Sequence, residues 1–267
     1  MIENKKVQLK ESEKQQVMEA AMRAGQILLS NGAEISRVEE TIDRICHHYG
    51  IESANSFVLS NGIFTTMGGK REEYFAKVQH IPVGAAHLNK VAAVNQLSRE
   101  ITEGKYRVDE LQHCLDTIEQ MPGKRNLSQY IASGIGSAGF CFLLGGDMMD
   151  CFAAFITGFL LYVYVLQWFG RCSKMVSNMI GSAFAASLCL IMYHLGIGHH
   201  ISSMIIGAVI PLVPGVAFTN AIRDIANGDY IAGTVRMLDA LLVFISIAIG
   251  VGVVLSINHN LTGGMML

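Results

Sequence analysis

Charge is spread so unevenly along this chain that its two halves cannot obey one folding rule. The sequence holds 20 Lys+Arg and 22 Asp+Glu, and all but nine of them precede Leu127. Charged side chains are almost never buried unless paired. The rear half therefore offers long uncharged windows of about the 20 residues that a bilayer core requires. The front half has the balance of a soluble domain of ordinary size. Pro122–Gly123 marks the boundary, which divides the chain into residues 1–123 and 124–267.

The front half reads as α+β. Val17, Ala21, Ala24 and Leu28 recur at helical spacing, and Asn31–Gly32 ends that helix. Ile35, Val38, Ile42 and Ile45 then share one face of a second helix that stops at Gly50. Residues 53–59, 62–67 and 73–79 are rich in Phe, Val, Thr and Tyr. The glycine pairs Asn61–Gly62 and Gly68–Gly69 separate them, as in a small antiparallel sheet. Two more helical patterns, 87–103 and 108–121, follow Pro82.

The rear half contains five apolar stretches, near 127–144, 151–169, 175–195, 201–219 and 240–257. Every Lys and Arg falls on alternate connections: Lys124 and Arg125, then Arg171 and Lys174, then Arg223 and Arg236. The positive-inside rule then puts the front half in the cytoplasm and the C-terminal tail outside. The expected architecture is an α+β cytoplasmic domain followed by an all-α membrane domain of five transmembrane helices. Small residues such as Gly134, Ser137, Gly250 and Gly252 suit close helix packing in lipid.

Several functions are disfavoured. The net charge of −2 carries no basic stripe, so nucleic acid is not an expected partner. No P-loop, GxSxG or dinucleotide fingerprint occurs, and Gly68–Gly69–Lys70 lacks the upstream glycine of a phosphate loop. The six cysteines show no CxxC spacing, and His47–His48 lack a carboxylate at a zinc-ligand spacing, so no metal or cofactor is expected. The first residues are charged rather than apolar, and a cleaved signal peptide is not expected.

The stretch 211–239 carries the densest chemistry. Pro211 and Pro214 with Gly215 interrupt a helical ladder within one turn. Broken helices recur at transporter substrate sites. Asn220 and Asp224 lie at i,i+4 with Arg223 beside them. Arg236 and Asp239 lie at i,i+3. An Arg fork suits a carboxylate, and a carboxylate can take up a proton or hold an amine. The same groups also suit a solvated helix end or an interfacial ion pair. Asp147 and Asp150 read as a solvated outer turn or an exit-side proton group. In the front half, Gly32, Glu34, Arg37 and Glu40 fall within one short segment, which also fits a capped, solvated helix face.

Two blocks carry a resemblance: AGQILLSNGAEISRVEETIDRICHHYGI at 24–51 with SFVLSNGIFTTM at 56–67, and LVPGVAFTNAIRDIANGDYIAGTVRMLDALL at 212–242. The chain resembles the threonine/serine exporter family, specifically its half-length YjjP-type members. The resemblance implies export of threonine and serine, or of succinate together with a separate YjjB-type membrane subunit. It carries over Pro214, Gly215, Asn220, Asp224 and Arg236 as site residues. Full-length members join two five-span units, so a second polypeptide or a homo-oligomer is expected to supply the other half. In this reading Arg236 counters a substrate carboxylate with Asp239 balancing its charge, Asp224 couples a proton, and Pro211–Gly215 forms the flexible break. The site would hold no metal, and the protein would be a multi-pass cell-membrane exporter subunit. A membrane-anchored enzyme, or a sensor whose activity lies in the front half, is the alternative.

Overall fold

The computed structural model describes residues 11–51, 54–67, 75–81, 86–123, 125–168 and 171–261. Gly68–Gly69, Pro82, Lys124 and the end of the C-terminal tail lie outside them. The chain forms two compact units, one from Met1–Pro122 with Val216–Met237 and the other from Gly123–Gly215 with Leu238–Leu267.

The first unit is mostly helical. Helix α1 (Glu11–Ser30) ends in a Schellman turn, where Ala33 N–H donates to Leu28 O and Gly32 N–H to Leu29 O. Gly32 takes φ +84° there, a left-handed conformation that glycine adopts without a Cβ penalty. Helix α2 (Ile35–His48) buries Ile35, Val38, Ile42 and Ile45, as their spacing predicts. It approaches α1 at Gly25, where an added Cβ would stand 2.7 Å from Ile42 Cδ1. Strands β1 (Asn55–Leu59), β2 (Gly62–Met67) and β3 (Phe75–His80) make an antiparallel sheet in that order. Val58, Ile63 and Met67 enter the core, while Phe57, Phe64 and Val78 pair across the other face and stay exposed. Helices α3 (Leu88–Thr102) and α4 (Val108–Glu119) complete the N-terminal part. Arg23 of α1 reaches Asp116 and Glu119 of α4 at 2.6 and 2.5 Å.

The second unit contains α5 (Asn126–Leu143), α6 (Met148–Trp168), α7 (Lys174–His194), α8 (Ile201–Val209) and a 3-10 turn (Ile210–Leu212). Its core is built largely from small side chains, among them Cys141, Ala153, Ala154, Ala185, Ala186, Cys189 and Ala208. Small residues let helices approach closely where apolar solvent gives no hydrophobic drive. A Cβ at Gly158 would overlap Ser137, and one at Gly207 would stand 2.7 Å from Ser137 O.

Helix α9 (Gly215–Ala226) and the first residues of α10 (Tyr230–Leu261) belong to the first unit, and Ala232 is part of its core.

The expected architecture is corrected at two points. First, no separate α+β domain precedes a membrane domain, because a distant segment of the chain is built into the first unit. Second, among the described residues three helices rather than five are long and apolar enough to cross a membrane: α6, α7 and α10. The interrupted pair α8 and α9 would make a fourth if it counts as one span. Helix α8 is only nine residues long, since the ladder fails at Pro211 and Pro214. The first turns of α5 carry Asn126, Ser128, Gln129 and Tyr130, which dilute its hydropathy. The segment expected as a polar connection, 220–239, is helical on both sides of a turn at Asn227–Asp229, so Arg236 and Asp239 lie inside α10.

Candidate functional site: a buried charged clasp

The Schellman turn leaves residues 32–34 as a short extended connector between α1 and α2. Glu34 O accepts the N–H of Val38 at 3.1 Å, whereas the carbonyls of Gly32 and Ala33 and the first N–H of α2 have no partners within either helix. Side chains from α9 and α10 supply them. Asn220, Arg223 and Asp224 lie at i, i+3 and i+4 on one face of α9, and Asn227 follows in the turn that ends it. A turn with Gly228 at φ +96° reverses the chain into α10. Gly233 then lets α10 run against α9, because a Cβ there would stand 2.6 Å from Ile225 Cγ1.

The contacts are specific. Asn220 Nδ2 donates to Gly32 O at 2.7 Å. Arg223 forms an ion pair with Glu34. Asp224 Oδ1 accepts the N–H of Ile35 at 3.1 Å. Arg236 Nη1 lies 2.8 Å from Asp224 Oδ2, and its Nη2 donates to Ala33 O at 3.0 Å. Asn227 Nδ2 donates to Ser36 Oγ at 3.3 Å. Glu34 occupies the N-cap position of α2 with no side-chain cap of its own. Asp224 supplies the cap instead, and its negative charge sits favourably against the helix N-terminus. The Asp224 side chain is 0% exposed and that of Arg236 12%. The two therefore neutralise each other away from water, and each also bonds a backbone group.

The structure thus brings together Gly32, Glu34, Asn220, Arg223, Asp224 and Arg236. Arg37 lies exposed on α2, outside this network. Asp239 does not balance Arg236, because it pairs with Lys174 at 2.5 Å between exposed side chains. Pro211 falls within the 3-10 turn. Val213 is extended at φ −66° and ψ 124°, as a residue before proline prefers, and Gly215 opens α9. Both forks of Arg236 are occupied. A carboxylate ligand could engage it only by exchange with Asp224.

The second unit holds a polar cluster that the sequence reading undervalued. Asp147 Oδ1 accepts the N–H of Asp150 and Asp150 Oδ2 that of Asp147, both at 2.8 Å. This is a capping box at the start of α6. Asp150 Oδ1 also accepts the N–H groups of His199 and His200 at 2.6 and 3.0 Å. His200 Nδ1 lies 2.7 Å from Asp150 Oδ2, and His199 Nδ1 2.7 Å from Asp147 Oδ2. Asp150 is therefore buried and joins the α5–α6 turn to the start of α8. The hydrogen bond from Asp150 N–H, and then His199, hold the Asp147 carboxyl below its usual range. Among the described residues, Asp147, Asp150 and His199 alone form a set that could hold a metal ion, but capping and hydrogen bonding already account for each. The DxxD spacing before an apolar run was the available signal.

The model of the ThrE family, described as "Putative threonine/serine exporter", matches residues 19–258, which include the clasp and both flanking blocks. The chain belongs to the threonine/serine exporter family. It is 26% identical over 256 residues to the "Threonine/serine exporter" of Corynebacterium glutamicum, covering 92% of this chain and 52% of that protein. It is 20% identical over 261 residues to the "Probable threonine/serine exporter" of Mycobacterium tuberculosis, covering 94% of this chain and 47% of that protein. The chain thus spans about half the length of the curated relatives it matches. No solved structure matches it. Family and apolar helices together mark a membrane-embedded protein.

Proposed function

We propose that the chain is a subunit of a secondary exporter that moves small amino or carboxylic acids, of threonine/serine or succinate type, out of the cell. The family match over 19–258 carries this reading, supported by three membrane-length helices. Its relatives are about twice as long, which favours a partner that supplies the other half. That partner would be a YjjB-type membrane subunit or a second copy. Energy would come from an ion gradient. The clusters Arg171/Lys174 and Arg223/Arg236 would lie on the cytoplasmic side, with the N-terminus.

In this account the clasp is a gate element. Arg236 already presents one nitrogen of its fork to a carboxylate, that of Asp224, while the other holds Ala33 O. A substrate carboxylate would take Asp224's place, uncap α2 and free the connector, and Asp224 would be ready for a proton once Arg236 leaves it. Such exchange demands differential binding of the two states.

The test is efflux from preloaded or inverted vesicles. Labelled threonine, serine and succinate are compared with the chain alone and with its partner subunit. Export of one compound, dependent on the partner, is expected. No flux of any compound, with both proteins confirmed in the membrane, would contradict the reading and favour a sensor or enzyme.

A further inference from the structure

An antiparallel sheet usually packs one face on the core and turns a polar face to water. The sheet of the first unit does not. Val58, Ile63 and Met67 enter the core on the side that α1 and α2 cover. The opposite face is apolar as well. Register sets Phe57 beside Phe64 and Phe64 beside Val78, one residue from each strand in a single row. These three are 55%, 39% and 66% exposed. The Phe57 and Phe64 rings lie 6.3 Å apart at 45°, within the range of a cross-strand aromatic pair. Alternate residues face this side, from Asn55 to Leu59, Gly62 to Thr66 and Ala76 to His80, and none of them is Lys, Arg, Asp or Glu.

The half of the chain that holds most of the charge therefore leaves an uncharged, apolar sheet face open. Contiguous exposed apolar surface of this kind marks an interaction site. Charge narrows what covers it. Residues 1–10 and residues 68–74 each hold four charged side chains. Either segment laid on this face would bury charge with no counter-charge opposite. Surfaces that lie on lipid combine apolar groups with Lys and Arg, and this face has neither. A second copy of the same face brings no like charges together. A twofold axis also makes one apolar patch its own complement. Two chains of this length equal about one of the relatives described above.

We propose that this sheet face is a homodimer interface, in which the sheets of two copies pack face to face about a twofold axis with Phe64 at its centre. Phe64 is the middle residue of the exposed row and lies on the central strand. Packed sheets stand about 10 Å apart with their inner side chains interdigitated. Phe57, Phe64 and Val78 of one copy then fill the spaces between those of the other, and both faces of each sheet are buried. A three-stranded face is smaller than the roughly 800 Å² a side of a standard interface. Two chains held in one membrane need less, because their local concentration is high. The membrane is therefore the place to test the contact. The proposal concerns how two chains associate and holds whatever compound the chain exports.

Phe64→Cys, in the full chain without its native cysteines, puts one thiol at the centre of the face. Asp109→Cys, at an exposed position of α4, is the control. Membranes that contain either form are treated with a short bis-maleimide, and the products are weighed. The expected result is a product of twice the chain mass from Phe64→Cys, well above that from Asp109→Cys. Adding Val78→Lys sets like charges against each other across the axis and should cut that product about tenfold or more. Thr66→Lys repeats the test from the central strand. Both side chains point away from the core, so the circular dichroism of these forms should match the parent's. A Phe64→Cys form that gives no more product than the control would overturn the proposal. So would a product whose mass shows a different protein as the partner, or one that survives both lysine substitutions undiminished.

Discussion

Asp224 Oδ1 caps the N-terminus of α2 through Ile35 N–H, across 189 residues of sequence. The same carboxylate neutralises Arg236 through its other oxygen. One side chain thereby fixes the connector after α1, the start of α2 and the first turns of α10. The cost of losing it follows from what it leaves behind.

Asp224→Ala strands a buried guanidinium and an uncapped helix, and should cost about 3–5 kcal/mol. Asp224→Asn keeps an acceptor for Ile35 N–H and should cost less. The double variant Asp224→Leu with Arg236→Met removes both charges and should recover much of the loss. Denaturant unfolding of the purified protein in detergent measures all three. Equal losses in Asp224→Ala and the double variant would show that the charges are not coupled.

Gly32 carries the reversal that presents the connector to the clasp. At φ +84° a side chain costs roughly 1–2 kcal/mol, and its Cβ would also stand 3.2 Å from that of Ala86. Gly32→Ala should lower stability by about that amount, and Gly32→Asn by less, since asparagine tolerates this region better. Thermal unfolding of the two variants decides it. Equal losses would locate the cost in contact with Ala86 rather than in the backbone.

Asp150→Ala deprives the N–H groups of Asp147, His199 and His200 of their acceptor at once. Each buried donor left alone costs about 1–3 kcal/mol. Asp147→Ala touches a more exposed group and should cost less. The melting temperatures of the two variants should therefore separate clearly, with Asp150→Ala the lower.

Burial pushes the Cys46 thiol up to about 12. In the unfolded chain a thiol titrates near ~8.5. The stability tied to Cys46 is thus fully present below that pH and is lost as pH rises from there towards 12. Maleimide at pH 8 should modify exposed Cys172 in the native protein and reach Cys46 only after unfolding. Mass spectrometry of the labelled peptides is the readout. Native labelling of both at one rate would contradict the burial.

The sequence made parts of this fold legible. The period of Ile35, Val38, Ile42 and Ile45 fixes α2, and Asn31–Gly32 fixes the end of α1, because both signals are local. The resemblance carried over Asn220, Asp224 and Arg236, while Gly32 and Glu34 were singled out from their own front-half segment. That they form one site was not legible, since no local rule pairs residue 35 with residue 224. The partner of Arg236 was misread for the same reason: Asp239 is near in sequence, but Lys174 claims it. The span count failed where apolar composition was read without the helix ladder. Proline shortens α8, and polar side chains start α5. The polar connection failed because Arg236 and Asp239 are good enough helix residues to continue α10 once their charges are paired.

The central claim is that the clasp opens during transport. Glu34 and Arg223 form its most accessible pair, so both are replaced by cysteine in a background without the native cysteines. The pair is then bridged by a reducible bifunctional thiol reagent, and threonine efflux is measured before bridging, after it and after reduction. The account predicts that bridging stops export and that reduction restores it. Bridged protein that exports at the unbridged rate would show that the clasp stays shut while substrate passes, and would contradict the account.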